Sequence, residues 1–147
     1  MHIIDNIFST KTRKQLIKNC KKVLERQDTG WWCPNISKHP DFCEAVNRLV
    51  LLTKNKLNHN LKVDNAWIAV CDGSESVNFH NHPEYDYSVI YYMQTRLNNS
   101  GTMFEKGFVK TKQNSLLIFD AKLKHKIPSY TPWSERKTLV LDIFKLD

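Results

Sequence analysis

The spacing of hydrophobic residues divides the chain into a helical first part and a strand-rich second part. A cap at Ser9 or Thr10 precedes one apolar stripe at helical spacing, formed by Leu16, Ile17, Cys20, Val23 and Leu24. A second helix is expected from about Pro40 and Asp41, with an apolar side formed by Phe42, Val46, Leu49, Val50 and Leu57. The pattern therefore predicts two helices before residue 65.

From residue 65 onward, short segments with alternating side chains are separated by turn residues, which is typical of β-strands. The predicted strands are Ala66–Cys71, Tyr87–Met93, Gly101–Glu105, Ser115–Phe119 and Arg136–Phe144. Two helices followed by many short strands indicate an α+β, mainly β domain in which the helices pack on one sheet of a barrel or sandwich. A length of 147 residues fits one such domain.

The last predicted strand has one apolar side and one side that carries charge. The apolar side holds Leu139, Leu141 and Ile143. The other side holds Arg136, Thr138, Val140 and Asp142. An unpaired charge is costly in the interior of a barrel, so a charged group on the inward face needs a partner. The pattern therefore indicates an anionic ligand inside the barrel.

The cysteines and the apolar runs exclude several classes of protein. The cysteines are Cys20, Cys33, Cys43 and Cys71. They are too widely spaced to suggest a tetrahedral zinc site, and we interpret them as reduced thiols. No apolar run reaches the roughly twenty residues that cross a bilayer, and the N-terminus lacks the apolar core of a signal peptide. We therefore expect an intracellular, cytoplasmic protein without a membrane partner.

A net charge of +7 favours encounter with anionic partners, from nucleic acid to a small dicarboxylic acid. The lysines are scattered, and no block of five or six like charges occurs. The charge is therefore a weak signal for nucleic acid, because a solvated basic surface has the same composition.

Histidines occur where predicted strands begin or end. His80, His82 and Glu84 alternate along one extended segment, so their side chains share a face. His125 follows a later strand, and Arg136 opens the final strand eleven residues further on. We expect His125 and Arg136 to flank one loop and to point into the barrel. There the imidazole would bind metal and the guanidinium would pair with a carboxylate.

Five segments occur in an order that is typical of one enzyme family. They are the opening Ile3–Phe8, the strand Tyr87–Met93, the turn and strand Ser100–Phe104, and the segments Asn114–Ile127 and Arg136–Phe144. Together they resemble the Fe(II)/2-oxoglutarate-dependent dioxygenases, particularly the prolyl-hydroxylase-like branch. The run His80-Asn81-His82-Pro83 is also similar to a small subgroup of such oxygenases found in phages and marine bacteria, which is consistent with a phage-encoded protein.

The resemblance implies a double-stranded β-helix, a jelly-roll or cupin-like core, over residues 66–147, with residues 1–65 as helical support within the single domain 1–147. It implies a hydroxylase that uses Fe(II), 2-oxoglutarate and dioxygen on a substrate that the sequence does not identify. Arg136 would hold the distal carboxylate of 2-oxoglutarate, with the hydroxyl of Tyr92 as a second donor. Trp133 is expected at the mouth of the pocket, where it could contact substrate.

The metal ligands depart from the family's usual His-x-Asp or His-x-Glu pattern. His80, His82 and His125 would form an all-histidine site, which we favour and which suits Fe, Cu, Ni or Zn. His82 with Glu84 would restore a carboxylate but places a proline between the ligands, and Asp86 is a further candidate. The residues alone leave these choices open.

Two other functions are compatible with the same motifs. A cupin-type metal protein also places H-x-H before a carboxylate and a later histidine, but it has no need of a guanidinium at Arg136. A non-catalytic binding module on the same fold would use the positive charge and not the histidines. Metal content together with 2-oxoglutarate binding distinguishes these functions.

Overall fold

Two antiparallel β-sheets form the body of the protein, and two helices cover one face of the larger sheet. The computed structural model describes residues 1–25, 32–73, 78–128 and 135–146. The helices are α1 (Thr10–Leu24) and α2 (Cys43–Leu57), with a short 3-10 turn at Ile36–Lys38. The strands are β1 (His2–Ile4), β2 (Trp32–Cys33), β3 (Asn60–Cys71), β4 (Tyr87–Gln94), β5 (Gly101–Phe104), β6 (Gly107–Lys110), β7 (Ser115–Asp120), β8 (His125–Lys126) and β9 (Arg136–Leu146).

The strand order identifies the architecture. The larger sheet has the order β1-β7-β4-β9-β3-β2, and the smaller one has the order β6-β5-β8. Every neighbouring pair is antiparallel. The arrangement is mainly β with two helices on one sheet, and it forms a double-stranded β-helix, so the predicted fold class is confirmed. No helix in the described part of the chain is long and apolar enough to cross a membrane.

Both predicted helices form, and local chemistry explains where they begin. Ser9 caps α1, because its side-chain oxygen accepts a hydrogen bond from the backbone N–H of Thr12 at 3.1 Å. The helix buries its predicted apolar stripe except Ile17, which is partly buried, and the stripe includes the free thiol of Cys20. Helix α2 begins at Cys43, slightly later than expected, and follows Phe42, which is fully buried.

The N-terminal part of the chain is not only helical support. Strands β1 and β2 form the two edges of the larger sheet, and β3 begins at Asn60, six residues before the predicted start. Leu61 and Val63 alternate with polar residues there, so this extension has the period of a strand but few apolar residues. The first 65 residues therefore supply strands as well as helices.

The two faces of the larger sheet bury different sets of side chains. One face packs against both helices and carries the predicted apolar side of β9, together with Val89, Tyr91 and Met93 of β4. The opposite face packs Ile90 and Tyr92 of β4 against Phe104 of the smaller sheet. A cavity opens on this second face, between the sheets.

Candidate metal centre

Backbone pairing brings three histidines together at one end of the two sheets. His80 lies between β3 and β4 and forms an isolated antiparallel bridge with His125, the first residue of β8. The two residues exchange backbone hydrogen bonds of 2.8 and 3.0 Å. The N–H of His82 donates to the carbonyl of Ala121 at 2.8 Å. These hydrogen bonds therefore fix the main-chain positions of all three histidines.

The three rings are close enough to share one metal ion. One ring nitrogen from each of His80, His82 and His125 lies within 4.8 Å of the others. The ring centroids of His80 and His125 are 4.6 Å apart, and His82 is 5.4 Å from each. Three imidazole ligands on one side of an ion suit Fe, Cu, Ni or Zn. The donor set therefore fits a transition metal.

In each histidine, Nδ1 faces an acceptor. The Nδ1 atoms of His80 and His125 lie 3.0 and 2.9 Å from the carbonyl oxygens of Asn78 and Leu123. Nδ1 of His82 lies 3.3 Å from a carboxylate oxygen of Asp142. A histidine that donates through Nδ1 keeps the lone pair on Nε2, which is the arrangement that metal-binding histidines adopt. When Nδ1 of each ring is the donor in these contacts, Nε2 is the nitrogen left to bind a metal.

The surroundings shift two of these pKa values in opposite directions. Burial lowers the pKa of His125 from 6.5 to about 4. The aromatic ring of Phe119, 4.8 Å away between centroids, forms part of that apolar surrounding. The carboxylate of Asp142 raises the pKa of His82. His125 is therefore a neutral imidazole at physiological pH, the form that binds metal.

The other proposed ligands lie apart from this cluster. Glu84 is exposed and does not belong to the group of ligand atoms formed by the histidines in the described chain. The carboxylate of Asp86 accepts a hydrogen bond from the backbone N–H of Lys145 at 2.7 Å, so it binds the main chain near the end of β9. Of the arrangements that the sequence leaves open, the structure brings together the all-histidine one.

The cavity beside the histidines also contains the predicted arginine. It is lined by Trp67, Ala69, His80, His82, Ile90, Thr102, His125, Lys126, Ile127, Arg136, Thr138 and Val140. Arg136 is only 3% exposed. Within the described ranges, no carboxylate lies within ion-pair distance of its guanidinium. The inward orientation of Arg136 is therefore as predicted, and an anion would satisfy its charge.

Two main-chain carbonyls hold the guanidinium in place. Nε of Arg136 donates to the carbonyl of Asn99 at 3.2 Å, and Nη2 donates to that of Gly101 at 3.0 Å. Gly101 has φ +144° and packs against the main-chain carbonyl of Val109, where a Cβ would collide. The Ser-Gly-Thr turn noted in the sequence therefore has a structural reason for its glycine, and it positions the arginine.

Tyr92 lies beside the arginine but not on the surface of the cavity. The Cζ atom of Arg136 is 5.4 Å from the centre of the Tyr92 ring, and the tyrosine is fully buried. Its hydroxyl lies 2.6 Å from Oγ1 of Thr102, which does line the cavity. Tyr92 is thus placed to support Thr102 and Arg136. Trp133 lies outside the described residues.

Two residues near the histidines were not assigned a role from the sequence. Trp67 on β3 stacks on His82, with 5.9 Å between centroids and 22° between ring planes. Asp142 was assigned to the inward face of β9, but its contact with His82 was not foreseen. The alternation of β3 and β9 indicates which face each residue occupies, but only the register of the sheet reveals the shared partner.

Comparison with known proteins gives matches of structure but not of sequence. No protein-family model and no curated protein matches the chain significantly. The viral collagen prolyl hydroxylase of Paramecium bursaria Chlorella virus-1 has a TM-score of 0.71 and 12% identity, over 99% of this chain and 90% of that one. EctD from S. alaskensis with bound Fe has a TM-score of 0.77 and 14% identity, over 97% and 72%.

HygX from Streptomyces hygroscopicus, with nickel and 2-oxoglutarate bound, is a third similar structure. Its TM-score is 0.69 at 12% identity, over 97% of this chain and 80% of that one. At such identities the similarity shows a common fold. The chain thus has the jelly-roll fold of the 2-oxoglutarate- and Fe(II)-dependent oxygenases, together with a cluster of three histidines.

Proposed function

We propose that this chain is an Fe(II)- and 2-oxoglutarate-dependent dioxygenase, with hydroxylation as its reaction type. The observation that carries the proposal is that one cavity is lined by three clustered imidazoles and by a buried guanidinium. A bound metal ion would account for the clustered imidazoles, and a bound dicarboxylate would account for the buried guanidinium. A cupin-type metal protein would leave Arg136 without a role.

His80, His82 and His125 would hold the iron through Nε2. When bound, Fe(II) supplies the redox chemistry that consumes dioxygen and the keto acid, and a facial set of three ligands leaves positions open for both. The neutral state of His125, the main-chain carbonyls beside the His80 and His125 rings, and the Asp142 carboxylate beside the His82 ring preorganise the ligands. The protein therefore needs little rearrangement to accept the ion.

Arg136 would bind the distal carboxylate of 2-oxoglutarate. Two of its N–H groups are committed to the carbonyls of Asn99 and Gly101, which fix the plane of the guanidinium. Its other N–H groups would donate to the carboxylate, and charge-assisted hydrogen bonds of this kind set orientation as well as affinity. Thr102, supported by the Tyr92 hydroxyl, lies on the same wall and offers a further hydroxyl.

The rest of the cavity wall is largely apolar. Ile90, Val140 and Ala69 line it from the larger sheet, and Trp67 covers one face of the His82 ring. An apolar wall excludes water from the space between the metal ligands and the arginine, and this strengthens the ionic contacts inside.

Turnover of the co-substrate tests the proposal. The Fe(II)-loaded protein should convert 2-oxoglutarate slowly to succinate in air without added substrate, and the Mn(II)-loaded protein should not. Anaerobic addition of 2-oxoglutarate to the Fe(II) protein should produce a visible charge-transfer absorption. If neither the absorption nor succinate exceeds that of free Fe(II), the chain is not an oxygenase of this type.

A further inference from the structure

A buried carboxylate stands directly behind one of the three histidines. Asp142 on β9 is 1% exposed, and its Oδ2 atom lies 3.3 Å from Nδ1 of His82. Within the described residues, Oδ2 forms no hydrogen bond that meets the usual geometric criteria, and the His82 ring nitrogen is its polar contact. Burying an isolated carboxylate has a large free-energy cost, and the contact with His82 offsets part of that cost.

The sheet register fixes the orientation of that carboxylate. Ser88 on β4 lies directly opposite Asp142 in the β4–β9 ladder, and its hydroxyl donates to Oδ1 at 3.1 Å. With one oxygen held by the neighbouring strand, the other oxygen is directed at the imidazole. The side chain is therefore placed by two central strands of the sheet and not by a loop.

The three histidines differ in the charge of their acceptors. Nδ1 of His80 and of His125 faces a neutral main-chain carbonyl, whereas Nδ1 of His82 faces an anion. A carboxylate behind a metal-binding imidazole fixes the ring and makes its other nitrogen a stronger donor. An all-histidine site lacks the negative charge that a carboxylate ligand would bring, and Asp142 supplies one negative charge from behind the ring.

We propose that Asp142 is a positioning residue of the metal centre, which orients His82 and provides the anionic charge that the three ligands lack. The inference rests on the metal site of the proposed function but not on 2-oxoglutarate or on catalysis. It distinguishes Asp142 from Glu84 and Asp86, the acidic residues closer in sequence to the histidines, which lie outside this contact.

Metal affinity in matched variants tests the inference. Asp142→Asn removes the charge and keeps the shape of the side chain. Asp64→Asn is the control, because it removes the same charge from an exposed carboxylate that contacts Tyr85 and not a histidine. Calorimetry with Co(II) should show affinity reduced about 10- to 100-fold in Asp142→Asn and unchanged in Asp64→Asn. The ligand-field spectrum of bound Co(II) should change only in Asp142→Asn, which a purely structural role would not produce.

A second measurement does not depend on whether the variant folds. In the metal-free wild-type protein at alkaline pH, the ¹⁵N resonances of the His82 ring should show the proton on Nδ1. Wild-type affinity in Asp142→Asn, or a proton on Nε2 of wild-type His82, would overturn the inference while leaving the metal site intact. A wild-type protein that binds no Co(II), Mn(II) or Fe(II) would overturn both this inference and the proposed function.

Discussion

Both faces of β9 carry deeply buried side chains, but the two faces differ in chemistry. Leu139, Leu141 and Ile143 are fully buried against the helices. On the opposite face, Arg136 and Asp142 are also almost completely buried. Main-chain carbonyls hold the arginine, and a serine and a histidine hold the aspartate. These contacts only partly offset the free-energy cost of burying the two charges. We infer that one face stabilises the fold and that the other is prepared for a metal and an anion.

Adjacent tyrosines on β4 repeat this contrast. Tyr91 points to the helices, and its hydroxyl donates to Oδ1 of Asn114 at 2.8 Å. Tyr92 points to the opposite face, where its hydroxyl meets Thr102 beside Arg136. Both rings are fully buried, so burial alone does not identify which one belongs to the functional site.

The largest effect is expected from loss of a metal ligand. His80→Ala should reduce metal binding below detection by calorimetry, because the remaining ligands no longer form a facial set. The fold should survive, since the His80 side chain is exposed. Glu84→Gln is the control and should bind metal like the wild type. The opposite pattern would establish Glu84 as the ligand in place of His80.

On the helix-facing side, truncation should affect stability and not binding. Leu141→Ala should lower the free energy of unfolding by about 2–5 kcal/mol, because it removes fully buried methyl groups and leaves a cavity. Urea unfolding monitored by circular dichroism measures the loss. The folded variant should still bind one metal ion per chain, and a loss of metal stoichiometry in that variant would show that the two faces are coupled.

The low pKa of His125 predicts acid sensitivity of the metal-free protein. A histidine whose folded pKa is about 4 takes up a proton more readily when unfolded, so its contribution to stability declines as pH falls from 6.5 towards 4. The decline should be on the order of 3 kcal/mol. The difference in unfolding free energy between the wild type and His125→Asn isolates this effect. A difference that stays constant from pH 7 to pH 4 would contradict the assignment.

The contribution of His82 to stability should change in a different pH range from that of His125. Asp142 raises the pKa of His82 in the folded protein. The contribution of His82 to the free energy of unfolding is therefore complete below pH 6.5 and is lost as pH rises through the raised pKa. His82→Gln compared with the wild type above pH 6.5 measures this contribution. A difference between the two proteins that does not change as pH rises above 6.5 would contradict this assignment.

The smallest effects should come from the paired tyrosines. Tyr91→Phe removes a hydrogen bond on the helix side and should cost about 1 kcal/mol of stability without affecting the cavity. Tyr92→Phe should weaken 2-oxoglutarate binding by about 0.5–1.5 kcal/mol, because Thr102 loses its partner. Unfolding and calorimetry on both variants check the contrast. Equal effects on 2-oxoglutarate binding would remove the distinction between the faces at this position.

Periodicity predicted the elements that bury a long apolar face. Both helices, the strands β4, β7 and β9 and the second half of β3 were found in this way, because each repeats its pattern several times. The four-residue strand β5 was also predicted, because turn residues immediately precede it. Strands β1, β2, β6 and β8 have two to four residues each. Such segments are too short to show a period, and they are defined by hydrogen bonds to distant partners. They could not be predicted from local pattern.

The candidate site likewise contains residues that the sequence indicated and contacts that it did not. The histidines were indicated by their alternation and by their position at strand ends, and the inward orientation of Arg136 followed from the period of β9. The stacking of Trp67 on His82 and the contact of His82 with Asp142 depend on which strands are neighbours. Pairing of this kind is a property of the register, and no spacing along one segment encodes it.

Binding of 2-oxoglutarate to the Mn(II)-loaded protein tests the central claim most directly. Calorimetry should detect binding to the wild type with metal and much weaker binding without it. Arg136→Ala should reduce the affinity at least about a hundredfold, because removing one partner of a buried charge pair typically costs about 3–5 kcal/mol. No detectable binding of 2-oxoglutarate to the metal-loaded wild type, or wild-type affinity in Arg136→Ala, would contradict the account.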